Sequence, residues 1–342
     1  MMDEKTAAEL FTHVMEVEPR AVSSMGYGRF SDSFRVEAPA AGRPAAGPTT
    51  NASAAGPAPS ITTSYVLRVA PPDSLLQLFY EYRMMRQEPE IHRRVRAETP
   101  VPVPRILAHD FSRERTDRDF LVMELMPGRP LTEVGPQAFA RAMEELGGYV
   151  AQLHGLKEPQ NRFGYVGAHN CMPPQPDWQS AFFEMYRRLL DDIVETGIYD
   201  RKTADWALSL LHSHAPVFEH TEVSRLCHGD LWVENILATV DGELTALLDF
   251  DRACWGDVEW DLAIADYCGM SREEFWRGYG GPDFRRDRSA EVRRLFYLLY
   301  EHQKYIVISV SSRREDPQGA RRYADQSLQI MRRFKESGRT DI

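Results

Sequence analysis

The stretch from Leu226 to Asp251 restricts this chain more than any other part of it. It reads Leu-Cys-His-Gly-Asp-Leu-Trp-Val-Glu-Asn-Ile-Leu and, after an interval, Leu-Leu-Asp-Phe-Asp. Polar residues stand in it as His228-x-Asp230-Leu231-x-x-x-Asn235, followed by Asp249-Phe250-Asp251. The interval holds two apolar, β-type runs on either side of Asp241-Gly242. Runs of that kind around Asp-Gly predict a β-hairpin. A hairpin here turns the chain back on itself and carries Asp249 to Asn235, so that two ligands distant in sequence can share one cation.

The same order and spacing belong to a kinase catalytic loop followed by a magnesium-binding carboxylate. Phosphoryl transfer needs these parts. One carboxylate orients the attacking hydroxyl and takes its proton, while an amide oxygen and a second carboxylate hold Mg²⁺ on the nucleotide phosphates. No G-x-x-x-x-G-K-[ST] run occurs, which excludes a Walker-type NTPase.

At 342 residues, 43% of them hydrophobic, the chain is long enough for two lobes with ordinary cores. No apolar run approaches the ~18–20 residues of a membrane span. The opening Met-Met-Asp-Glu-Lys lacks the basic-then-apolar layout of a secretory signal, so a cytoplasmic location is expected. Cys171, Cys227, Cys254 and Cys268 show no C-x-x-C pairing and read as buried free thiols. The net charge of −10 counts against a nucleic-acid partner. Most of the acid excess lies after residue 130, where it can attract a cationic acceptor or serve only for solubility.

Along the first part of the chain, residues 3–17 carry Leu10, Phe11, Val14 and Val17 at helical spacing. Ser23 to Val36 reads as two strands around a glycine turn, Gly26-x-Gly28, with Ser31 where a third glycine would complete the phosphate-loop pattern. Residues 38–60, almost wholly Ala, Gly, Pro, Ser and Thr, are expected to form a mobile loop. Tyr65–Val69 reads as a strand bearing one cation, Arg68. Helices are predicted over 73–87 and 89–98, the second started by Pro89. Glu88 at their junction is the chosen carboxylate partner of Arg68, with Glu81 second. Strands are predicted at 106–109 and 120–124, the latter running into Pro127-Gly128.

From Pro136 the pattern turns to long helices. Phe139, Met143, Leu146, Val150 and Leu153 form a helical stripe ending at His154, read as a structural or capping residue. Further helices are predicted over 177–196, 200–214, 289–312 and 317–337. Trp178, Phe182, Phe183 and Tyr186 read as core rather than a stacking platform. Ser271-x-x-Glu274 is the pattern of a capping box.

With these residues in hand, the chain resembles the aminoglycoside phosphotransferase and choline-kinase-like superfamily. The match is carried by His228-Gly-Asp-Leu-Trp-x-x-Asn235-Ile-Leu, Leu248-Asp-Phe-Asp251 and Gly256-Asp257-x-x-x-Asp261-Leu-Ala263. Phe120-Leu-Val-Met-Glu124, Val-Pro-Val-Pro104 and Leu153-His154 support it. The resemblance covers roughly residues 20–270. It implies an α+β, bilobal, protein-kinase-like fold: a small antiparallel-sheet lobe over 1–126 and a mainly helical lobe over 127–342. It implies ATP and Mg²⁺, with Asp230 as catalytic base and Asn235 and Asp249 as metal ligands. By the same likeness Gly26, Gly28, Ser31 and the Arg68–Glu88 pair serve the phosphates, the backbones of Glu124 and Met126 read adenine, and Asp261 braces the catalytic loop.

Two departures matter. Arg68 stands where the family usually has Lys, and its planar fork can hold a carboxylate and a phosphate together. Gly229 stands where protein kinases have Arg, and no Ala-Pro-Glu follows, which favours a small-molecule kinase over a protein kinase. The leading expectation is an O-phosphotransferase acting on an antibiotic hydroxyl, as monomer or homodimer, with no membrane partner. The alternatives are a metabolite kinase for a choline-, homoserine- or sugar-like acceptor and a nucleotide-binding pseudokinase scaffold.

Overall fold

The computed structural model describes residues 2–26, 31–40, 62–75, 78–166, 172–281, 287–311 and 314–341. Most of the segment read as a mobile loop, together with Gly28 and Cys171, lies outside them. Contacts divide the chain into a first unit, Met1–Pro72 with Pro104–Leu125, and a second, Asp73–Val103 with Met126–Ile342. Relative to a division at residue 126, the stretch Asp73–Val103 therefore groups with the second unit. Ile91, Val95, Val101 and Val103 join that unit's core, which explains the grouping.

In the first unit, helix α1 (Glu4–Met15) is capped by Asp3, whose side chain accepts the Thr6 N–H. Strands β1 (Ala21–Ser24), β2 (Asp32–Pro39), β3 (Thr62–Val69), β4 (Ile106–Asp110) and β5 (Phe120–Glu124) form an antiparallel sheet in the order β1-β2-β3-β5-β4. Alternation decides its faces. Phe34 and Val36 of β2 and Tyr65, Leu67 and Val69 of β3 pack with Ala7, Leu10 and Phe11 of α1. Arg68, one position out of phase, belongs to the opposite face and pairs in register with Ser33 and Leu121.

The second unit holds α2 (Glu88–Glu98), α3 (Pro136–Leu153), α4 (Trp178–Glu195), α5 (Arg201–His212), α6 (Val258–Tyr267), α7 (Glu273–Tyr279), α8 (Arg288–Val310) and α9 (Pro317–Ser337). Two small sheets accompany them: β6 (Arg129–Pro130) with β9 (Ile236–Ala238) and β10 (Leu244–Leu247), and β7 (Gly164–Tyr165) with β8 (Arg225–Cys227) and β11 (Cys254–Gly256). The helical stripe predicted from Phe139 to Leu153 is the α3 core face, with Met143, Leu146, Val150 and Leu153 fully buried. Trp178 and Tyr186 are fully buried too, and the Trp178 indole donates to the Tyr297 hydroxyl at 2.7 Å. These aromatics are core, as expected. A Cβ on Gly256 would lie 2.4 Å from the Trp178 ring, so glycine is what lets β11 approach it.

Two local readings are corrected. Residues 73–87 form short 3₁₀ turns at Asp73–Leu75, Phe79–Glu81 and Met84–Gln87 rather than one helix. Arg83, in the left-handed region at φ +54°, breaks the helical path. The Ser271 capping box is absent: Arg272 is the N-cap of α7, and the Ser271 hydroxyl accepts the Trp276 indole N–H at 3.0 Å.

The Asp192 carboxylate of α4 accepts the Phe79 N–H at 2.8 Å, and burial pushes it up to about 7. A carboxyl raised in the folded state stabilises the fold below its unfolded value and loses that contribution as pH rises through the folded one. Asp192→Asn keeps an acceptor without the charge. Its stability advantage over the parent is expected to grow between about pH 4 and pH 7 and then level off. Urea midpoints of both proteins across that range measure this, and a pH-independent difference would contradict it.

Candidate active site

The predicted hairpin forms between β9 and β10, with a wider turn than Asp-Gly alone. Thr239 N–H bonds to Glu243 O at 2.9 Å and Gly242 N–H to Thr239 O at 3.0 Å. Of the turn residues only Gly242 takes a left-handed φ, +84°. The hairpin returns the chain so that Leu248 N–H bonds to Asn235 O at 2.8 Å, one residue before Asp249.

The loop expected to be catalytic, which begins at His228, is held from beneath by a buried carboxylate. Asp261 on α6 accepts the backbone N–H groups of His228 and Gly229, both at 2.8 Å. Its Oδ2 also meets His154 Nε2 at 3.1 Å, and His154 Nδ1 meets the Tyr279 hydroxyl at 2.8 Å. Burial alone pushes the Asp261 carboxyl up, but His154, His228 and the Gly229 N–H together hold it below the usual carboxylate range. His154 is therefore a structural partner at the α3 C-cap, in line with its sequence reading. Gly229 has φ +78°, and a Cβ there would lie 2.4 Å from Arg252 O, which leaves no room for the arginine of protein kinases.

His228 ties the loop to the returning strand. Its Nε2 faces Leu248 O at 3.0 Å and so donates, while Nδ1 accepts the Asp230 N–H at 3.2 Å. That pattern requires the neutral ring, and burial lowers its pKa accordingly.

Asp230 and Asn235, expected to act together, are in contact. Asn235 Nδ2 donates to Asp230 O at 2.9 Å and to Oδ2 at 3.1 Å. The Asp230 side chain keeps 26% of its surface exposed, so a substrate hydroxyl can reach it. Asp249 is left-handed at φ +67°, a strained position for a residue with a Cβ. The turn around it is gripped by Gln87, whose Nε2 donates to Phe250 O at 2.9 Å, Asp251 O at 2.6 Å and Ala253 O at 3.1 Å.

One placement goes beyond the sequence reading. Glu88, Asp249 and Asp251 each offer an oxygen, and these oxygens lie within 4.8 Å of one another. Glu88 also faces His92 Nε2 at 3.6 Å. Hard oxygen donors of this kind are what Mg²⁺ takes. The residues present thus fit a divalent cation, with Asp251 and Glu88 added to Asp249.

The residues expected to serve the nucleotide divide between the units. In the first, Gly26 (φ +67°) follows β1, Ser31 is buried just before β2, Arg68 lies on β3, and Glu124 ends β5. The Glu124 N–H donates to Arg105 O at 3.0 Å and its carboxylate meets Arg105 Nε at 3.1 Å. Glu88 and Met126 belong to the second unit.

Sequence reading missed Arg252, which follows the Asp-Phe-Asp run directly and touches Asp230. Its position in the motif was the only local signal. Cys227 and Cys254 are buried free thiols and Cys268 a partly buried one, as read from the sequence. Among the described residues no helix is long and apolar enough to cross a membrane.

A profile of the phosphotransferase enzyme family (APH) matches residues 58–292. A Vibrio cholerae protein described as a probable ketoamine kinase is 28% identical over 235 residues, covering 64% of this chain and 74% of its own. Further bacterial relatives carry the same description. A solved structure assigned as a fructosamine-3-kinase of Haemophilus somnus superposes with TM-score 0.63 at 16% identity, covering 95% of this chain and 97% of that one. A ternary complex of a thermostable aminoglycoside phosphotransferase APH(4)-Ia with AMP-PNP and hygromycin B gives 0.60 at 17%, covering 95% and 97%. At such identities these structures speak for the fold, which is α+β and protein-kinase-like.

Proposed function

Because this chain belongs to the phosphotransferase enzyme family and is a small-molecule phosphotransferase, we propose that it is an ATP- and Mg²⁺-dependent kinase for a metabolite hydroxyl, most specifically that of a ketoamine, a sugar joined to an amine. The observation that carries the reaction is the Asp230–Asn235 contact beside the chain that returns to Asp249. The metabolite reading rests on the relatives described as ketoamine kinases, and it displaces the antibiotic acceptor placed first from sequence. The acid excess after residue 130 suits an acceptor whose amine is protonated.

In this reading Asp230 accepts a hydrogen bond from the acceptor hydroxyl and takes its proton as the oxygen bonds to the γ-phosphorus. The bond from that phosphorus to the β,γ-bridging oxygen breaks, and its electron pair leaves with ADP. Bound Mg²⁺, on Asn235, Asp249 and the adjoining carboxylates, would neutralise charge on the phosphates. Asn235 orients Asp230 through its amide. Gly26, Ser31 and Arg68 serve the phosphates, and the backbones of Glu124 and Met126 serve adenine.

The test is transfer from [γ-³²P]ATP to a panel of fructosyl-lysine, choline, homoserine and hygromycin B. Label on fructosyl-lysine, with little on the others, is the expected result. Label on hygromycin B alone would restore the antibiotic reading, and ATP consumption that labels none of them would favour a different acceptor class.

A further inference from the structure

The Asp230 carboxylate is held at both oxygens. Asn235 Nδ2 approaches Oδ2 at 3.1 Å, and Arg252 Nη1 donates to Oδ1 at 2.7 Å. Two contacts, one on each oxygen, fix both the rotation and the tilt of the carboxylate plane. A carboxylate offers about four lone-pair directions. Two are used, so the others stay open to a hydroxyl.

Arg252 can serve as a fixed point only if it is itself fixed, and two contacts do that, each braced by further residues. Nη2 donates to Glu301 Oε1 on α8 at 3.1 Å. The guanidinium lies over the Tyr80 ring, 5.4 Å from its centroid. Tyr80 in turn stacks on Tyr165 at 5.4 Å and 29°, and the Tyr165 hydroxyl meets that of Tyr300, the neighbour of Glu301, at 3.2 Å. Glu301 is paired with Lys304 as well. Burial by itself raises the Glu301 carboxyl, and the Lys304 and Arg252 cations more than reverse this. Arg252, Asp230, Glu301 and Lys304 therefore form a charge-balanced set within the second unit.

Arginine suits this position better than lysine. Its planar fork reaches two carboxylates from two nitrogens at once, whereas an ammonium offers a single point.

We propose that Arg252 is a positioning residue for phosphoryl transfer: clamped to Glu301 and stacked on Tyr80, it holds the Asp230 carboxylate in the orientation that receives the acceptor proton. The inference rests on Asp230 being the base.

The experiment uses the full chain and follows release of ³²P-phosphate from [γ-³²P]MgATP to water alongside transfer to fructosyl-lysine. A misplaced reacting group costs about 10²-fold. Arg252→Met is expected to lower kcat by that order while KM for MgATP stays within about threefold, and Arg252→Lys is expected to recover part of the loss. In an Asp230→Asn background, adding Arg252→Met should change little, because Arg252 acts through Asp230. Should Arg252→Met fold poorly, Glu301→Gln loosens the clamp while leaving the Arg252–Asp230 contact available, and a kcat loss without a KM change is again expected.

Wild-type kcat in Arg252→Met or Glu301→Gln beside an inactive Asp230→Asn would overturn the positioning role alone. A further large loss on adding Arg252→Met to Asp230→Asn would also overturn it. Undiminished turnover in Asp230→Asn would remove the base assignment beneath it.

Discussion

Asp230→Ala is expected to keep MgATP binding and to lose turnover by about 10²–10⁴-fold, the usual contribution of a positioned general base. The separation follows from the site. The proposed cation ligands Asn235, Asp249, Asp251 and Glu88 all remain, so the nucleotide should titrate at near wild-type concentration. What disappears is the proposed acceptor of the hydroxyl proton. Removing the carboxylate also leaves the Arg252 Nη1 without its 2.7 Å partner, so some loss of stability should accompany the change. Asp230→Asn separates the two effects, because the amide oxygen can still accept from Arg252 but cannot take a proton productively. The decisive readings are single-turnover transfer and MgATP binding on the same preparations. Undiminished transfer in both variants would sink the role assigned to Asp230.

Asp261→Ala should have the largest effect on stability, its proposed role being to brace the loop. One fully buried carboxylate satisfies two catalytic-loop N–H groups and faces His154. Truncation strands all three partners in the core of the second unit. Breaking a buried charge network by removing one partner costs about 3–5 kcal/mol, against a total stability of about 5–15 kcal/mol for a typical protein. A markedly lower urea midpoint is expected, or failure to accumulate as folded protein. Asp261→Asn keeps one acceptor oxygen and should fall between the two. An Asp261→Ala midpoint within error of wild type would show that the loop does not depend on this brace. Since Asp261 lies below the usual carboxylate range, its contribution should be present at neutral pH and be lost as pH falls through its folded value.

How much of this was legible beforehand depended on the range of the forces concerned. Helix α3 was readable because its apolar residues recur at helical spacing within one segment. The β9–β10 hairpin was readable because Asp241-Gly242 turns the chain locally. Trp178, Phe182, Phe183 and Tyr186, read as core from sequence, are buried. The Ser271 capping box failed for a physical reason: a hydroxyl can serve a backbone N–H or an indole N–H, and here the Trp276 indole holds it. The long helix over 73–87 failed because Arg83 takes a left-handed conformation that local propensity does not announce.

The amino-acid sequence by itself determined the reaction class and pointed to the groups proposed to carry it. Asp230, Asn235 and Asp249 stand at spacings that one loop and one hairpin convert into proximity, and both are set by short-range backbone preferences. Only the tertiary structure decided which other groups meet them. Glu88 reaches Asp249 and Asp251 because the start of α2 packs on residues 250–253 through Gln87. Glu301 reaches Arg252 because the buried face of α8 seats Tyr300 beside Tyr165. These meetings join segments far apart in the chain, and they exist only once apolar burial has docked the helices. No local pattern of residues encodes them.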